Sequence, residues 1–203
     1  YYFNFMPPNY FYKFYPKDFR YKEILWNLEP RIYQNLKPFK NRKKEKILIT
    51  GNVGKASLKS KIANKILNPK NSTYYLYKLR VKCRILPYIH YSPMKNGKFE
   101  SDDYPVYLSQ YRASIAAASY YPVTKYFEIP ASGCLTFMEV TEVNDCKSLG
   151  FEDGQTAIFI NEKNYKKKFE EYINDLDNPK WEKIANAGRE HALKNLNSDL
   201  AVE

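Results

Sequence analysis

Ten residues, Lys125-Tyr126-Phe127-Glu128-Ile129-Pro130-Ala131-Ser132-Gly133-Cys134, place a lone carboxylate and a lysine in an otherwise apolar stretch closed by a glycine. That pattern indicates a ligand site. It lies between two short apolar runs, 114–119 (SIAAAS) and 134–138 (CLTFM), which read as buried parallel strands. The chain must cross over the sheet between them. Residues 121–124 offer Pro122 for a first helical turn and Thr124 as a cap, and Gly133 offers the stop. Such a helix starts at the carboxyl edge of the preceding strand, where free N–H groups and the helix dipole favour phosphate. A second phosphate-cradling unit is 46–50 (KILIT) followed by Gly51-Asn52-Val53-Gly54-Lys55 and a helix capped by Ser57, with Leu58, Ile62, Ile66 and Leu67 at helical spacing. Its glycines fit neither GxxxxGK[ST] nor GxGxxG, so it is a tight strand-to-helix turn and no Walker A loop.

Other chemistries find little support. Cys83, Cys134 and Cys146 are widely spaced, without metal-ligand pairing, and read as reduced structural thiols. His90 and His191 are too isolated for a metal site or a catalytic pair, and Asp102-Asp103 is the nearest approach to an acidic metal motif.

The remaining elements form an alternating series. Residues 73–86 interleave Lys78, Arg80, Lys82 and Arg84 with apolar residues, as in a strand with one wet face. Residues 92–103 read as a surface loop, 104–111 as a short helix, 139–145 as an acidic loop and 156–160 as a strand. Tyr165, Phe169, Tyr172, Ile173 and Leu176 make one helical stripe; Trp181, Ile184, Ala185, Gly188, Ala192 and Leu196 make another after Asn178-Pro179. Strand and helix alternation predicts an α/β fold, a parallel sheet with helices on both faces.

The run YYPVTKYFEIPASG, with LGFEDG (149–154) and AGREH (187–191), resembles the carboxyl-terminal half of a GT-B glycosyltransferase, in particular the spore-maturation-protein-like "glycosyl transferases group 1" domain. The resemblance covers about residues 46–196. It implies a Rossmann-like half of a GT-B fold that binds a nucleotide-sugar as substrate, with no cofactor and no metal. In that family a Glu-x7-Glu pair brackets the donor. Glu128 matches the second Glu, which holds the ribose, whereas Tyr120 stands in the place of the first. By the same resemblance Lys125 and Lys59 face the diphosphate, with Lys55 as a second candidate. Backbone groups around Gly51, Asn52, Tyr121 and Thr124 complete the donor site.

The implied boundaries are an irregular aromatic segment at 1–45, the remnant of an interdomain link, and a nucleotide-sugar-binding domain at 46–203. Seven tyrosines and five prolines crowd the first 40 residues, which breaks any long helix. Residues 1–98 carry 22 Lys and Arg against 4 Asp and Glu, and residues 99–203 carry 11 against 18. This asymmetry suits a phosphate-attracting cleft, a face toward an acceptor domain or subunit that the chain lacks, or peripheral contact with an anionic membrane. It suits equally the alternative, a non-catalytic basic α/β module that binds nucleic acid or an acidic partner. No zinc-finger spacing, RNP-like strand or helix-turn-helix accompanies the charge, so no sequence-specific nucleic acid site is expected. No apolar run spans a bilayer and no signal peptide is evident, which gives a cytoplasmic expectation, at most peripheral at a membrane.

Overall fold

The computed structural model describes residues 2–4, 8–23, 28–51, 53, 59, 62, 63, 66, 73–93, 103–144 and 146–197. Five strands form one sheet: β3 (Lys43–Thr50), β4 (Ile89–Ser92), β5 (Tyr111–Ala116), β6 (Leu135–Glu139) and β7 (Ile158–Ile160). Their order is β4-β3-β5-β6-β7, and every neighbouring pair is parallel. A separate two-stranded parallel ribbon joins β1 (Tyr2–Asn4) to β2 (Tyr21–Glu23).

The sheet is wrapped on both faces, which is why its strands read as continuous apolar runs. Successive side chains alternate between two cores. Leu48, Ala116 and Met138 meet Tyr126, Phe127 and Ile129 of α5 (Lys125–Ala131). Ile47, Ile49, Ile115 and Phe137 meet Leu79 of α3 (Lys78–Cys83) and Phe169 and Tyr172 of α6 (Tyr165–Ile173). The long helix α7 (Pro179–Asn195) serves both, with Trp181 and Ile184 in the second core and Ala192 in the first. Its start follows the sequence: the Asn178 side chain accepts from the Lys180 N–H at 3.0 Å, and Pro179 occupies the first turn.

Helix α5 ends as expected and begins differently. Gly133 takes φ +69°, its N–H donates to the Pro130 carbonyl at 2.7 Å, and the Cys134 N–H reaches the Ile129 carbonyl at 3.4 Å, a Schellman closure. Arg42 seals it by donating Nη1 to the Ser132 and Gly133 carbonyls at 3.0 and 2.7 Å. Pro122 stands ahead of the helix rather than in its first turn, and Pro130 lies inside it. Thr124 precedes the helix, but its hydroxyl takes no backbone N–H; its carbonyl accepts from Phe127 and Glu128.

Residues 73–86 hold two short helices and a turn, not a strand: α2 (Thr73–Leu76) and α3 (Lys78–Cys83), with 84–86 in the turn. An alternation every second residue also puts Lys78 with Lys82, and Arg80 with Arg84, four residues apart on a helix. Lys78 and Lys82 share Glu162, at 2.8 and 2.5 Å, while Arg80 turns into the core at 1% exposure. β3 begins at Lys43, three residues early, and β7 at Ile158, two residues late. The expected helix at 104–111 is α4 (Asp103–Leu108), with β5 starting at Tyr111. The aromatic amino-terminal segment includes the short helix α1 (Pro8–Phe11) and packs its rings on one another. Phe11 stacks on Tyr21 at 4.0 Å, and Tyr10 meets Tyr120 and Tyr121 at 5.8 and 5.1 Å. Gly54, Ser57, Leu58 and Leu67 of the expected first crossover lie outside the described residues.

Gly188 marks a close helix-to-turn approach, since a Cβ there would stand 2.2 Å from the Thr156 carbonyl oxygen. Backbone cannot yield cheaply. Gly188→Ala is expected to destabilise the fold by about 1–3 kcal/mol through overpacking. Thermal melts of both proteins check this; an unchanged melting temperature would refute the close approach.

Candidate functional site at the carboxyl edge of the sheet

In chain order the sheet reads 2-1-3-4-5. The chain leaves β3 to one side toward β4 and returns to the other side for β5, so a crevice opens between the carboxyl ends of β3 and β5. Gly51 follows β3 with φ +76°, a backbone state that glycine adopts without strain. Its Cβ, were there one, would lie 3.5 Å from Lys125 Cε and 3.6 Å from both Lys125 Nζ and Arg80 Nη2. A glycine turn and two cations thus meet at the crevice.

Lys125, the first residue of α5, donates Nζ to the Tyr104 hydroxyl at 3.0 Å and sits 4.9 Å from that ring's centroid. Tyr104 in turn shares a hydrogen bond of 2.7 Å with Thr50 Oγ1. Arg80 donates to the Thr50 carbonyl and lies over the Tyr77 ring at 4.5 Å. Among the described residues its Nε has no hydrogen-bond partner. Burial lowers the Arg80 pKa, while the surrounding tyrosines, Tyr77 first, act to raise it. Lys125 is pushed down to about 8 by burial and by Arg80, against the pull of Glu128. Glu128, one turn along α5, is half-buried; burial raises its pKa, and Lys125 and the Thr124 hydroxyl draw it back. Its charge also raises the pKa of Tyr104 and Tyr33, secondarily to their burial, so it faces α4 and the 3-10 turn Pro30–Tyr33.

Next to this crevice, over the ends of β6 and β7, lies a cleft of about 720 Å3. Ser119 and Tyr120 form its β5 side, Tyr75 and Lys78 one wall, and Thr141 and Asn161 the other. Glu139, the last residue of β6, contributes a carboxyl group 2% exposed. Its main-chain carbonyl accepts from Tyr126 Oη at 2.9 Å and Asn144 Nδ2 at 2.8 Å, but Oε2 has no hydrogen-bond partner among the described residues. Burial and, secondarily, Glu162 push the Glu139 pKa up to about 7, against Arg80 and Lys78.

Of the residues expected at a donor site, Gly51, Lys125 and Glu128 come together, and Thr124 supports Glu128. Tyr120 and Tyr121 flank the adjoining cleft under Tyr10, Tyr120 lining it directly. Lys59 is exposed, and Asn52 and Lys55 lie outside the described residues. The sequence did not point to Arg80, Tyr104 or Glu139, which read as a strand's wet face, a helix start and an acidic loop. The three cysteines are free and buried. His90 hydrogen-bonds Tyr111, and His191 bonds the Leu149 carbonyl at 2.8 Å. Among the described residues, no three His, Cys, Asp or Glu side chains are grouped to hold a metal, and no helix is long and apolar enough to cross a membrane.

Glu139 has a measurable signature. Its folded pKa of about 7 stands above the unfolded value of roughly 4.3, so the folded state binds the extra proton and stability falls as pH rises between the two. Glu139→Gln removes that loss. The variant is expected to melt near wild type at about pH 5 and roughly 4 °C or more above it at about pH 8. Equal or lower melting at the higher pH would mean that the carboxylate is well paired.

The profile of a family described as glycosyl transferase-like matches residues 36–200. No curated protein matches the sequence. Solved structures that share the fold include these three. A glycosyltransferase from Rickettsia africae ESF-5 is 15% identical with a TM-score of 0.57 over 90% of this chain. Sucrose-phosphate synthase from Thermosynechococcus elongatus is 13% identical with a TM-score of 0.58 over 98%. Anabaena HepE, solved in complex with UDP, is 11% identical with a TM-score of 0.56 over 89%. The matched part is 55% of each of those chains, so this chain spans about half of their length. Its five-stranded parallel sheet is the Rossmann-like half of a GT-B fold, as the sequence implied. The chain belongs to the glycosyl transferase-like family.

Proposed function

We propose that this chain is the nucleotide-sugar-binding half of a glycosyltransferase that meets the charge of the leaving diphosphate with protein cations. The observation that carries the reading is the convergence of Gly51, Arg80 and Lys125 at the crevice between β3 and β5, with Glu128 one turn further along α5. Ligands of open α/β sheets bind in that crevice, and a desolvated ammonium beside a glycine turn fits a diphosphate. Family membership supports the same reading, and so does HepE, whose structure holds UDP.

In this reading Lys125 contacts the diphosphate, the backbone at Gly51 allows its close approach, and Glu128 accepts hydrogen bonds from the ribose hydroxyls. Arg80 stands behind them and adds positive potential from within the core. As the diphosphate leaves, negative charge builds on its oxygens, and a cation already fixed there stabilises it without reorganising. Tyr104 positions Lys125 by accepting from Nζ while bonded to Thr50. A second domain or subunit supplies the acceptor wall and the proton-accepting group, since a cleft needs a second wall to orient the acceptor.

Calorimetry with UDP, ADP and GDP tests the assignment. At least one is expected to bind. Glu128→Ala should weaken it by about 1.5–3 kcal/mol, the value of hydrogen bonds to a charged group. Affinity should fall as pH rises through about 8, where Lys125 loses its proton in the free protein, and Lys125→Met should weaken binding and abolish that dependence. Unchanged affinity in a folded Glu128→Ala protein removes Glu128 from the site, and a flat profile between about pH 7 and 9 removes Lys125.

A further inference from the structure

Glu139 poses a question that nucleotide binding leaves unanswered. Its carboxyl group is almost wholly buried, and among the described residues its Oε2 has no hydrogen-bond partner. Buried polar atoms in folded proteins nearly always have one, so an orphan at the wall of a cleft calls for a reason. The two cations that act on it have partners elsewhere: Lys78 pairs with Glu162, and Arg80 gives Nη2 to the Thr50 carbonyl.

The cleft it lines narrows the choice of ligand. Lys78, Lys147 and Lys163 are matched there by Glu139, Glu142 and Glu162, so the formal charges of the lining cancel. A phosphate entering it would meet three carboxylates, and an ammonium would meet three lysines. The remaining polar groups, Ser119, Thr141 and Asn161, combine with the Tyr75 and Tyr120 rings to give hydrogen-bonding and apolar surface together. An uncharged ring carrying hydroxyls on its rim and C–H groups on its faces complements such a lining. About 720 Å3 leaves ample room for one. The cleft also adjoins the crevice that holds Gly51 and Lys125, because Ser119 and Tyr120 at its β5 side lead directly into the segment that starts α5.

We propose that this cleft seats the sugar ring of the nucleotide-sugar, with one sugar hydroxyl donating to Glu139 Oε2. The inference rests on the nucleotide-sugar reading above and assigns the part of the ligand that Gly51, Lys125 and Glu128 do not hold. At about pH 8, above its pKa of about 7, Glu139 is ionised, and an O–H donating to an ionised carboxylate is a strong hydrogen bond, while an apolar ring face against tyrosine excludes water around it. The same geometry makes Glu139 a discriminating residue: a ligand ending at the diphosphate leaves the orphan oxygen as it is, and one carrying a sugar satisfies it.

Calorimetry on the 203-residue chain and its Glu139→Gln variant, with UDP, ADP and GDP beside UDP-glucose, ADP-glucose and GDP-mannose, separates the two parts of the ligand. The wild type is expected to bind one of the nucleotide-sugars about tenfold more tightly than its own nucleoside diphosphate, the increment of one charge-assisted hydrogen bond. Glu139→Gln should lose that gain and keep its nucleoside diphosphate affinity within about twofold, which also reports that the variant is folded. A gain that survives in Glu139→Gln, or diphosphate binding with no gain from any sugar, overturns the sugar seat and leaves the nucleotide reading standing. Failure of every nucleotide and nucleotide-sugar to bind overturns both.

Discussion

The carboxyl edge depends on keeping two cations desolvated beside a glycine. Arg80 is 1% exposed, and Lys125 is removed enough from water that its pKa falls to about 8, which still leaves it a cation at neutral pH. Burying a charge is costly unless it is hydrogen-bonded, and these two are held mainly by oxygens and aromatic faces: the Thr50 carbonyl and Tyr77 ring for Arg80, the Tyr104 hydroxyl and ring for Lys125. Glu128 acts on Lys125 from one turn away without removing the effect of burial. The folded protein therefore carries positive potential at the crevice that its own carboxylates do not fully neutralise. A diphosphate would do so.

That arrangement needs α5 fixed at both ends, since Lys125 and Glu128 both project from it. Its far end is closed by the left-handed Gly133 and by Arg42, a cation 8% exposed that donates to two terminal carbonyls and, through Nε, to the Lys37 carbonyl at 2.7 Å. Pro130 removes one N–H from the last turn, where the Schellman closure and Arg42 already reorganise the bonding. Gly188 lets α7 approach within contact of the Thr156 turn and of Pro130, pressing α5 onto the sheet. The crevice thus depends on residues more than 50 positions apart in the chain.

The parts of this structure that were legible in the sequence are those where local and global requirements coincide. The apolar strands β5 and β6, the glycine stop at Gly133 and the Asn178-Pro179 start of α7 each carry their own signal, and the parallel sheet follows from them. Residues 73–86 show the converse. Basic residues at every second position fit a half-wet strand as well as they fit two faces of a helix, and only the burial of Arg80 against Thr50 and Tyr77 decides between them. Glu139 was hidden for a related reason. Its neighbours in sequence, Thr141, Glu142, Asn144 and Asp145, are polar, and nothing local marks it as the last buried residue of β6.

The charge asymmetry of the sequence acquires a spatial meaning in the sheet. The basic half of the chain supplies β3, β4, Arg80 and Lys78; the acidic half supplies β5, β6, β7, Glu128, Glu139 and Glu162. Because the strand order places β3 and β5 side by side, the seam between the two halves runs through the crevice. Lys125 comes from the acidic half and stands at that seam facing Arg80, which concentrates positive charge where β3 ends, whereas further along the edge Lys78 from the basic half and Lys147 and Lys163 from the acidic half are matched by Glu139, Glu142 and Glu162. A ligand with an anionic and a neutral part has one place on this edge for each. Tyr120 stands at the boundary between them, and its contact with the ring of Tyr10 ties the aromatic amino-terminal segment to one residue of the cleft lining.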